Sequence, residues 1–497
     1  SFIKLFPHLL EKLKKVSKMA KKNVLIIFSD QHNKHMLGAY GNKVVKTPNL
    51  DSLAHDGVTF ANAYTSCPLC APARASLAIG DYASKHGYFD NALAYDGECR
   101  SWAGKLEENG IHTTTVGKLH YKSDCAKTGF LDQRIPLHIK NGVGDVYGEI
   151  RDKEITRPQF RDALYEASIG ETDYIRFDRE VARRAASFLL EEAVNRERPF
   201  VLMANFVSPH FPLSVPKEYA DLYKTEDIPD PVQFREEDWP HHPVIDDYRR
   251  YCCQEDVPEN VRKEAIRIYY GMCSFLDAQV GIVLDALKKS GLENETYVIY
   301  LSDHGDTMGE HGVFFKSTLY EGSVGIPMLI KGPGIKSGYI EKSPVSIVDI
   351  YPTVLECTGI AEDEYDKSLP GVSLLETIKT QNPNRTIYSE YLSFGFYTSA
   401  FMLRKGFWKY VFYVGERSQL FNLKEDPDEC NDLWNKDECK EICNEMESLL
   451  RKIVDPEELD QIAKGAQKNV LEKVGGKEEF LKHFKPSLFS PIPDLDK

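Results

Sequence analysis

Four short runs of apolar, largely β-branched residues predict the strands of a buried sheet. They cover residues 23–29, 112–116, 200–206 and 297–302, of which 112–116 is rich in threonine. An uninterrupted apolar run of this length is typical of a strand that is covered on both faces. Such strands occur in parallel sheets with helices on either side, so the pattern predicts an α/β fold.

Apolar residues at helical spacing predict helices at about 178–195 and 261–290. The region 225–262 is rich in Pro, Asp, Glu and Tyr, and we expect it to be a long insertion at the rim of the site. The loops 121–175 and 225–262 are where we expect specificity for the leaving group to reside.

The C-terminal part of the chain has a different pattern, after turn signals at Pro370-Gly371 and Asn382-Pro383-Asn384. Four short strands separated by turns predict a small antiparallel sheet, and a helix at about 436–453 follows. The predicted strands are 386–392, 399–403, 408–413 and 418–422.

We therefore expect an extension at 1–18, a catalytic domain at 19–380, an α+β subdomain at 381–455 and a C-terminal arm at 456–497. The arm is predicted to lie over the core or over a neighbouring subunit, where it could hold a homo-oligomer together.

Composition excludes several classes of function. The chain has 497 residues and a formal net charge of −14, with no dominant basic tract, so we expect no nucleic-acid partner. An anionic substrate would have to be attracted by a local positive pocket. No run approaches 18 apolar residues, so we expect no membrane span. The eleven cysteines do not resemble a disulfide framework at this length, and we expect reduced thiols at Cys252, Cys253, Cys439 and Cys443.

Residues 1–18 alternate lysines with apolar residues and lack both the apolar core and the cleavage site of a signal peptide. We interpret them as an added or upstream segment before a natural start at Met19. A membrane-surface helix is the alternative. Because a start at Met19 leaves no room for an export signal before the first strand, we expect a cytoplasmic protein.

Polar residues follow each of the four predicted core strands. Asp30-Gln31 follows the first, Lys118 and His120 follow 112–116, His210 follows 200–206, and Asp303-His304 follows 297–302. Polar groups beyond the carboxyl ends of parallel strands converge on one edge of the sheet, where open α/β folds bind ligands. A single Asp in such a place is usually a helix cap, but four polar strand ends predict a site.

The segment Cys70-Ala71-Pro72-Ala73-Arg74, closed by Gly80, predicts a short helix with a cysteine at its N-terminus. Proline suits a first helical turn and glycine suits the C-terminal stop. Free N–H groups there favour a nucleophilic oxyanion and a bound anion. The alternative is a C-x-x-C redox or zinc pair formed by Cys67 and Cys70, but no second cysteine pair stands at zinc-finger spacing.

This C-x-P-x-R pattern resembles the type I, formylglycine-dependent sulfatases of the alkaline phosphatase superfamily. The resemblance spans roughly residues 22–430. It includes the helix opening at 47–54, Gly117-Lys118-Leu119-His120, Ser302-Asp303-His304-Gly305, Phe315-Lys316 with Glu321-Gly322, and the C-terminal segments around 419–433. The pair Asp30-Gln31 departs from the Asp-Asp of many arylsulfatases and is more similar to choline sulfatases and phosphonate monoester hydrolases.

The resemblance implies an alkaline-phosphatase-like α/β/α sandwich with a large mixed, mostly parallel sheet and a small C-terminal antiparallel-sheet subdomain. It implies a sulfuric ester hydrolase acting on a carbohydrate or aryl ester, with formylglycine made from Cys70 by a maturation enzyme. One divalent ion, Ca²⁺ in first place and Mn²⁺ or Mg²⁺ as alternatives, is implied. Its ligands would be Asp30, Gln31, modified Cys70, Asp303 and His304.

The remaining site residues follow from the same resemblance. Arg74, Lys118 and Lys316 would hold the sulfate oxygens, His210 would protonate the leaving alcohol, and His120 would take a proton when sulfate is released. Asn91 resembles a residue that contacts the substrate, although an ordinary Asx turn is nearly as good an interpretation. His311 and Asp306 would support the ligands from behind, or Asp306 would merely cap a turn.

Three other functions stay open. A phosphonate monoester or phosphodiester hydrolase on the same scaffold is favoured by Asp30-Gln31. A non-enzymatic relative would need a lost motif residue, and none is missing. A thiol oxidoreductase would use Cys67 and Cys70. The leaving group, whether an aryl alcohol, a sugar or choline, is not determined by these motifs.

Overall fold

The computed structural model describes residues 22–124, 126–483 and 489–496. The predictions for residues 1–18 therefore lie outside the described residues. Among the described residues, the four core strands lie where the apolar runs predict them. They are Asn23–Asp30, His112–Lys118, Phe200–Pro209 and Thr296–Ser302.

The strands are numbered along the chain. They are β1 Asn23–Asp30, β2 Val58–Phe60, β3 Ala63–Tyr64, β4 His112–Lys118, β5 Asp132–Leu137, β6 Ser168–Ile169, β7 Phe200–Pro209, β8 Ser214–Val215, β9 Thr296–Ser302, β10 Met328–Lys331, β11 Tyr339–Glu341, β12 Val345–Ser346, β13 Ile387–Tyr391, β14 Ala400–Lys405, β15 Trp408–Tyr413 and β16 Gln419–Asn422.

The α-helices are numbered in the same way. They are α1 Pro48–His55, α2 Cys70–Ile79, α3 Ala83–His86, α4 Trp102–Glu108, α5 Gln159–Tyr165, α6 Asp173–Ser187, α7 Lys217–Ala220, α8 Pro243–Cys252, α9 Glu259–Lys289, α10 Glu321–Val324, α11 Ile350–Thr358, α12 Leu374–Thr380, α13 Lys440–Ile453, α14 Pro456–Lys473 and α15 Lys477–His483.

The main sheet has the strand order β11-β2-β10-β9-β1-β7-β4-β5 among the described residues. The block from β9 to β5 is parallel throughout, and β10 is antiparallel to both of its neighbours. The sheet is therefore mixed but mostly parallel, as expected. Strands β9, β1, β7 and β4 are adjacent, so their carboxyl ends lie side by side.

Helices cover both faces of this sheet. Along β1, Val24, Ile26 and Phe28 face one apolar layer, while Leu25 and Ile27 face the other. Helices α2, α4 and α11 pack in the first layer, and α6 and α9 pack in the second. This alternation of side chains explains the unbroken apolar run, because both faces of each central strand are buried.

Helix α9 is long and apolar enough to cross a membrane by length and composition alone. Inside the protein, 72% of the most apolar stretch of this helix is buried. Its residues Leu276, Val280 and Val283 pack against the sheet. A core helix accounts for this pattern, and the expectation of no membrane partner stays a prediction.

The C-terminal subdomain contains the predicted antiparallel sheet, in the order β13-β14-β15-β16. Helix α13 packs against it through Met446 and Leu450. The two sheets and the helices on both sides confirm the predicted α/β architecture, while the exact domain boundaries stay predictions.

The C-terminal arm contains helices α14 and α15 and runs back over the catalytic domain. Leu471 packs with Val146 and Ile150, and residues Ile492 and Leu495 pack beside the α6–α9 layer. The arm thus lies over its own core, one of the two locations that we expected.

Candidate active site

The polar strand ends come together at one edge of the sheet, as the sequence predicts. Asp30 ends β1, His210 follows β7, Lys118 ends β4, and Asp303 follows β9. Because these strands are adjacent and parallel, residues distant in sequence become neighbours. Asp30, Asp303 and His304 are fully buried.

Cys70 is the first residue of helix α2 and points into this cluster. Gly80 ends the helix in the left-handed conformation, with a φ of 79°, and its N–H donates to the Ser76 carbonyl. A side chain at Gly80 would collide with Tyr351, so glycine is needed there on two grounds. The predicted helix and its stop are both present.

Asn91 fixes the backbone next to Cys70. Its Oδ1 accepts a hydrogen bond from the Ala71 N–H at 3.0 Å, and its side chain also lines the cavity above Cys70. The structure therefore places Asn91 at the site, although its contact with substrate stays a prediction.

Four buried side chains form a group that could hold a metal ion: Asp30, Cys70, Asp303 and His304. One candidate ligand atom from each lies within 4.8 Å of the others. The Cys70 Sγ atom is 3.2 Å from His304 Nε2 and 3.7 Å from Asp30 Oδ1. Two carboxylates and one imidazole from two strand ends are a suitable donor set for a divalent cation.

Gln31 lies at the edge of this group with both ends of its amide engaged. Its Nε2 donates to Asp306 Oδ2 at 2.7 Å, and its Oε1 accepts from Lys316 Nζ at 2.8 Å. Asp306 therefore orients Gln31, and its Oδ1 also accepts from the Met308 and Phe315 N–H groups. The backbone of Gln31 is held at a φ of 67°, which is unusual for a residue other than glycine.

Arg74 lies behind the two carboxylates. Its Nε donates to Asp303 Oδ2 and one terminal nitrogen donates to Asp30 Oδ2, both at 2.9 Å. The other terminal nitrogen donates to the Lys118 carbonyl at 2.6 Å. The structure therefore places Arg74 with the acidic residues and outside the cavity lining, and its contact with the sulfate oxygens stays a prediction.

Two lysines bring positive charge to the cavity floor. Lys118 Nζ is 2.6 Å from Asp30 Oδ2. Lys316 Nζ donates to Cys70 Sγ at 3.0 Å and lies 2.9 Å from His210 Nε2. These cations supply the local positive pocket that a chain with net negative charge needs in order to bind an anion.

The two predicted acid–base histidines line the same cavity as Cys70. His210 Nδ1 is 2.6 Å from the Phe211 carbonyl, which leaves Nε2 facing the site. His120 lines the cavity, and its Nδ1 is buried with no hydrogen-bond partner among the described residues. His120 also has a positive φ, 57°, so its backbone is held in an unusual conformation at the cavity.

Burial and charge set the protonation of the acidic groups. Burial, reinforced by the charge of Asp30, raises the pKa of Asp303 to about 6. Burial acts on Asp30 in the same direction, but the charges of Lys118 and Arg74 outweigh it and hold the pKa of Asp30 well below its usual range. Asp30 is therefore much the stronger acid of the two carboxyl groups.

The same effects keep the histidines neutral. Burial lowers the pKa of His304 to about 4, so its ring nitrogen is available as a metal ligand. Burial and the neighbouring lysine charges hold the pKa values of His120 and His210 well below the ordinary range. Negative charge from a bound anion would raise both pKa values.

A cavity of about 450 Å³ opens above Cys70. Its floor is made by Cys70, Lys118, His120, His210 and Lys316, and its walls include residues between 140 and 160 and residues of the C-terminal arm. None of the described residues 225–262 lines it, so the expectation that this insertion forms the rim is wrong. Its helix α8 packs in the core through Val244, Ile245 and Tyr248, whereas most residues from 225 to 241 are exposed or half-buried.

Two supporting residues on helix α6, Asp178 and Tyr174, were not predicted from the sequence. Asp178 on helix α6 accepts from the Val207 and Ser208 N–H groups and so fixes the turn that carries His210. Tyr174, also on α6, lines the cavity. A charged or aromatic residue on an amphipathic helix gives no local signal of such a contact.

His311 and Cys67, two other residues with a predicted or alternative role, lie outside the cavity lining. His311 stacks on Tyr320 and bonds Gln233 through Nδ1, and it does not belong to the metal-type group. Cys67 is buried and forms no disulfide, and burial raises the pKa of its thiol well above the ordinary value. A buried thiol with a raised pKa is unsuited to redox exchange, which weighs against the oxidoreductase alternative.

Comparison with known proteins agrees with this geometry. The profile of the Sulfatase family matches residues 22–360, and that of the N-sulphoglucosamine sulphohydrolase C-terminal region matches 309–456.

Individual relatives extend the match to most of the chain. A choline-sulfatase from Rhizobium meliloti is 32% identical over 83% of this chain and 82% of its own. An arylsulfatase from Clostridium perfringens is 30% identical over 87% of this chain and 94% of its own. The solved structure of a phosphonate monoester hydrolase from Agrobacterium radiobacter has the same fold, with a TM-score of 0.69 at 23% identity over 87% of this chain and 95% of its own. The chain belongs to the sulfatase family, whose members are enzymes that hydrolyse sulfate esters.

Proposed function

We propose that the protein releases sulfate from a small organic sulfate ester through a formylglycine made from Cys70. The observation that carries this proposal is the position of Cys70 at the start of α2. Its side chain lies 3.0 Å from Lys316 Nζ and 3.2 Å from His304 Nε2, between a cationic cavity floor and a group of metal-type ligands.

The donor set fits a resident divalent cation. Asp30, Asp303, His304 and the oxygen of modified Cys70 would hold it, with the Gln31 amide oxygen nearby. Ca²⁺ is the first candidate because most of these donors are hard oxygens, and the imidazole keeps Mn²⁺ and Mg²⁺ as alternatives. When bound, the cation would lower the pKa of the nucleophile and neutralise sulfate charge.

Arg74 would support this centre from behind. Its bonds to Asp30 and Asp303 favour the ionised form of both carboxylates and fix their orientation. Lys118 and Lys316 would hold the sulfate oxygens, because both ammonium groups stand at the cavity floor, where charge must be stabilised as the S–O bond breaks.

The two histidines would divide the proton transfers. In the first step one hydroxyl of the formylglycine hydrate would lose its proton to solvent and bond to sulfur while the ester S–O bond breaks. His210, protonated at Nε2 while the anionic ester is bound, would give that proton to the departing alcohol. In the second step His120 takes the proton of the remaining hydroxyl, the aldehyde forms again, and sulfate leaves. Neither step needs water to attack a stable sulfate ester of the protein.

The relatives restrict the leaving group without determining it. They include a choline-sulfatase and an arylsulfatase, so choline, aryl and sugar sulfates form the test panel. Sulfate release from one of these at a rate that Asp303→Ala abolishes supports the proposal, and the absence of release from every ester contradicts it.

A phosphonate monoester hydrolase is the second candidate. It is favoured by the Asp30-Gln31 pair and by the fold shared with the Agrobacterium radiobacter enzyme. The rates on 4-nitrophenyl sulfate and 4-nitrophenyl phenylphosphonate, measured with one preparation, separate the two activities. A higher kcat/KM on the sulfate is expected.

A maturation enzyme that oxidises Cys70 is the protein partner implied by this proposal. Oligomerisation through the C-terminal arm and a cytoplasmic location stay predictions from the sequence.

A further inference from the structure

The cavity above Cys70 has one wall that comes from the end of the chain. We call it the C-terminal wall, and it consists of Val474, Glu479, Phe480, His483, Phe489 and Ser490. The predicted sulfate-handling residues lie at the floor of the same cavity. Anything bound between floor and wall must therefore be the part of the substrate that leaves with the alcohol.

Tyr174 connects this wall to the catalytic residues. Its hydroxyl donates to the Ser490 carbonyl at 2.7 Å, and its ring lies 5.8 Å from that of Phe489, measured between centroids. On its other side the Tyr174 ring lies 6.4 Å from that of His210. The wall is thus one aromatic ring away from the residue predicted to protonate the leaving alcohol.

Contacts on both sides of the cavity hold the wall in place. Arg184 donates to the Leu495 carbonyl at 2.7 Å, and Lys477 pairs with Asp152. Leu471 and Phe480 belong to the apolar cluster that contains Val146, another cavity residue. The wall is therefore a folded part of the site.

The chemistry of the cavity favours a flat, uncharged ring. Six aromatic side chains line it: Phe160, Tyr174, Phe211, Phe394, Phe480 and Phe489. Aromatic faces pack well against flat apolar surfaces. The volume of about 450 Å³ falls in the range of small-molecule sites.

The carboxylates of the cavity lining are already paired. Asp145 receives two hydrogen bonds from Arg157, and Glu479 lies 3.0 Å from His483 Nε2 and 3.2 Å from Lys482 Nζ. A cationic leaving group would find no carboxylate among the described lining residues that lacks a cationic partner. Choline would therefore have to bind through the aromatic rings alone, without a carboxylate to pair with its ammonium charge.

We infer that the C-terminal wall is the leaving-group subsite, and that it selects sulfate esters whose alcohol carries a flat, uncharged ring. The inference rests on the proposed function, because it assumes that the cavity floor holds sulfate. The wall contacts the leaving group and does not take part in the S–O cleavage.

The test compares a sulfate ester that carries a ring with inorganic sulfate. Inorganic sulfate would occupy the cavity floor and make no contact with the C-terminal wall. In Phe480→Ala and Phe489→Ala, KM for 4-nitrophenyl sulfate should rise about five- to tenfold. The inhibition constant of inorganic sulfate should stay unchanged. Phe407→Ala is the matched control, because Phe407 lies outside the cavity lining. Its exposed fraction of 56% is similar to the 48% of Phe489.

Tyr174→Phe provides a second variant that preserves the ring and removes only the bond to Ser490. It should raise KM for the ring ester and leave the sulfate inhibition constant unchanged. Equal changes in both constants for all wall variants would overturn the inference, as would a wild-type preference for choline sulfate over ring esters. A wild type that cleaves no sulfate ester would instead contradict the proposed function itself.

Discussion

Lys316 Nζ lies 3.0 Å from Cys70 Sγ, although 246 residues separate the two in sequence. The segment that carries Lys316 is bent sharply, with φ values of 72° at Phe315 and 83° at Ser317. Such a conformation is unfavourable for non-glycine residues and persists only where surrounding contacts impose it. Here the Tyr248 hydroxyl donates to the Lys316 carbonyl at 2.6 Å, and the Ser317 N–H donates to the Pro68 carbonyl.

Tyr248→Phe should weaken catalysis without removing any residue from the cavity. It leaves the buried Lys316 carbonyl without this donor, at a cost of about 1–3 kcal/mol in stability. We expect a lower kcat and a smaller change in KM, together with a lower Tm, measured by steady-state kinetics and thermal unfolding. An unchanged kcat in a protein with a lowered Tm would show that Tyr248 does not position Lys316.

Asp303→Ala should abolish both metal binding and activity. Asp303 supplies one of two carboxylates in the metal-type group, and its loss should cost on the order of a thousandfold in kcat/KM. Metal content by elemental analysis and the rate of sulfate release check this. Asp285→Ala, on the exposed side of helix α9, is the control for a lost carboxylate. An Asp303→Ala protein with normal metal content and rate would contradict the assignment of the metal centre.

His210→Ala should harm esters of poorly leaving alcohols most. A phenol of low pKa needs little protonation as it departs, so the loss on 4-nitrophenyl sulfate should be about tenfold. An alkyl or sugar ester should lose about 10²- to 10⁴-fold. Equal losses on the two classes of ester would show that His210 is not the general acid.

His120→Ala should slow the release of sulfate from the enzyme and leave the first step largely intact. Product alcohol should then appear as a burst whose size matches the enzyme concentration, followed by slow turnover. Rapid-mixing kinetics with 4-nitrophenyl sulfate would show it. A slow single phase with no burst would assign His120 to the first step.

The sequence predicts the strands and the convergence of their polar ends because these depend on local pattern. A central parallel strand must be apolar on both faces, and its first polar residue marks the sheet edge, as at Asp30 and Asp303. The order of strands cannot be read from such runs, so the pairing of β1 with both β7 and β9 is known only from the structure.

The supporting contacts could not be predicted from the sequence, because they join residues without local signals. Arg74 belongs to a motif, but its bonds to Asp30 and Asp303 depend on how α2 packs against the sheet. The insertion 225–262 is polar enough to be a surface loop, yet it places Tyr248 in the core. The wall formed by Phe480 and Phe489 results from the path of the chain over the domain, which composition does not determine.

The state of Cys70 in the active enzyme tests our central proposal most directly. Peptide mass mapping of an active preparation should show an aldehyde in place of the Cys70 thiol, with activity proportional to the modified fraction. Cys67→Ser should retain both the aldehyde and the activity, because Cys67 is a buried thiol outside the metal-type group. Full activity in a preparation that carries only unmodified cysteine at position 70 would contradict the formylglycine mechanism.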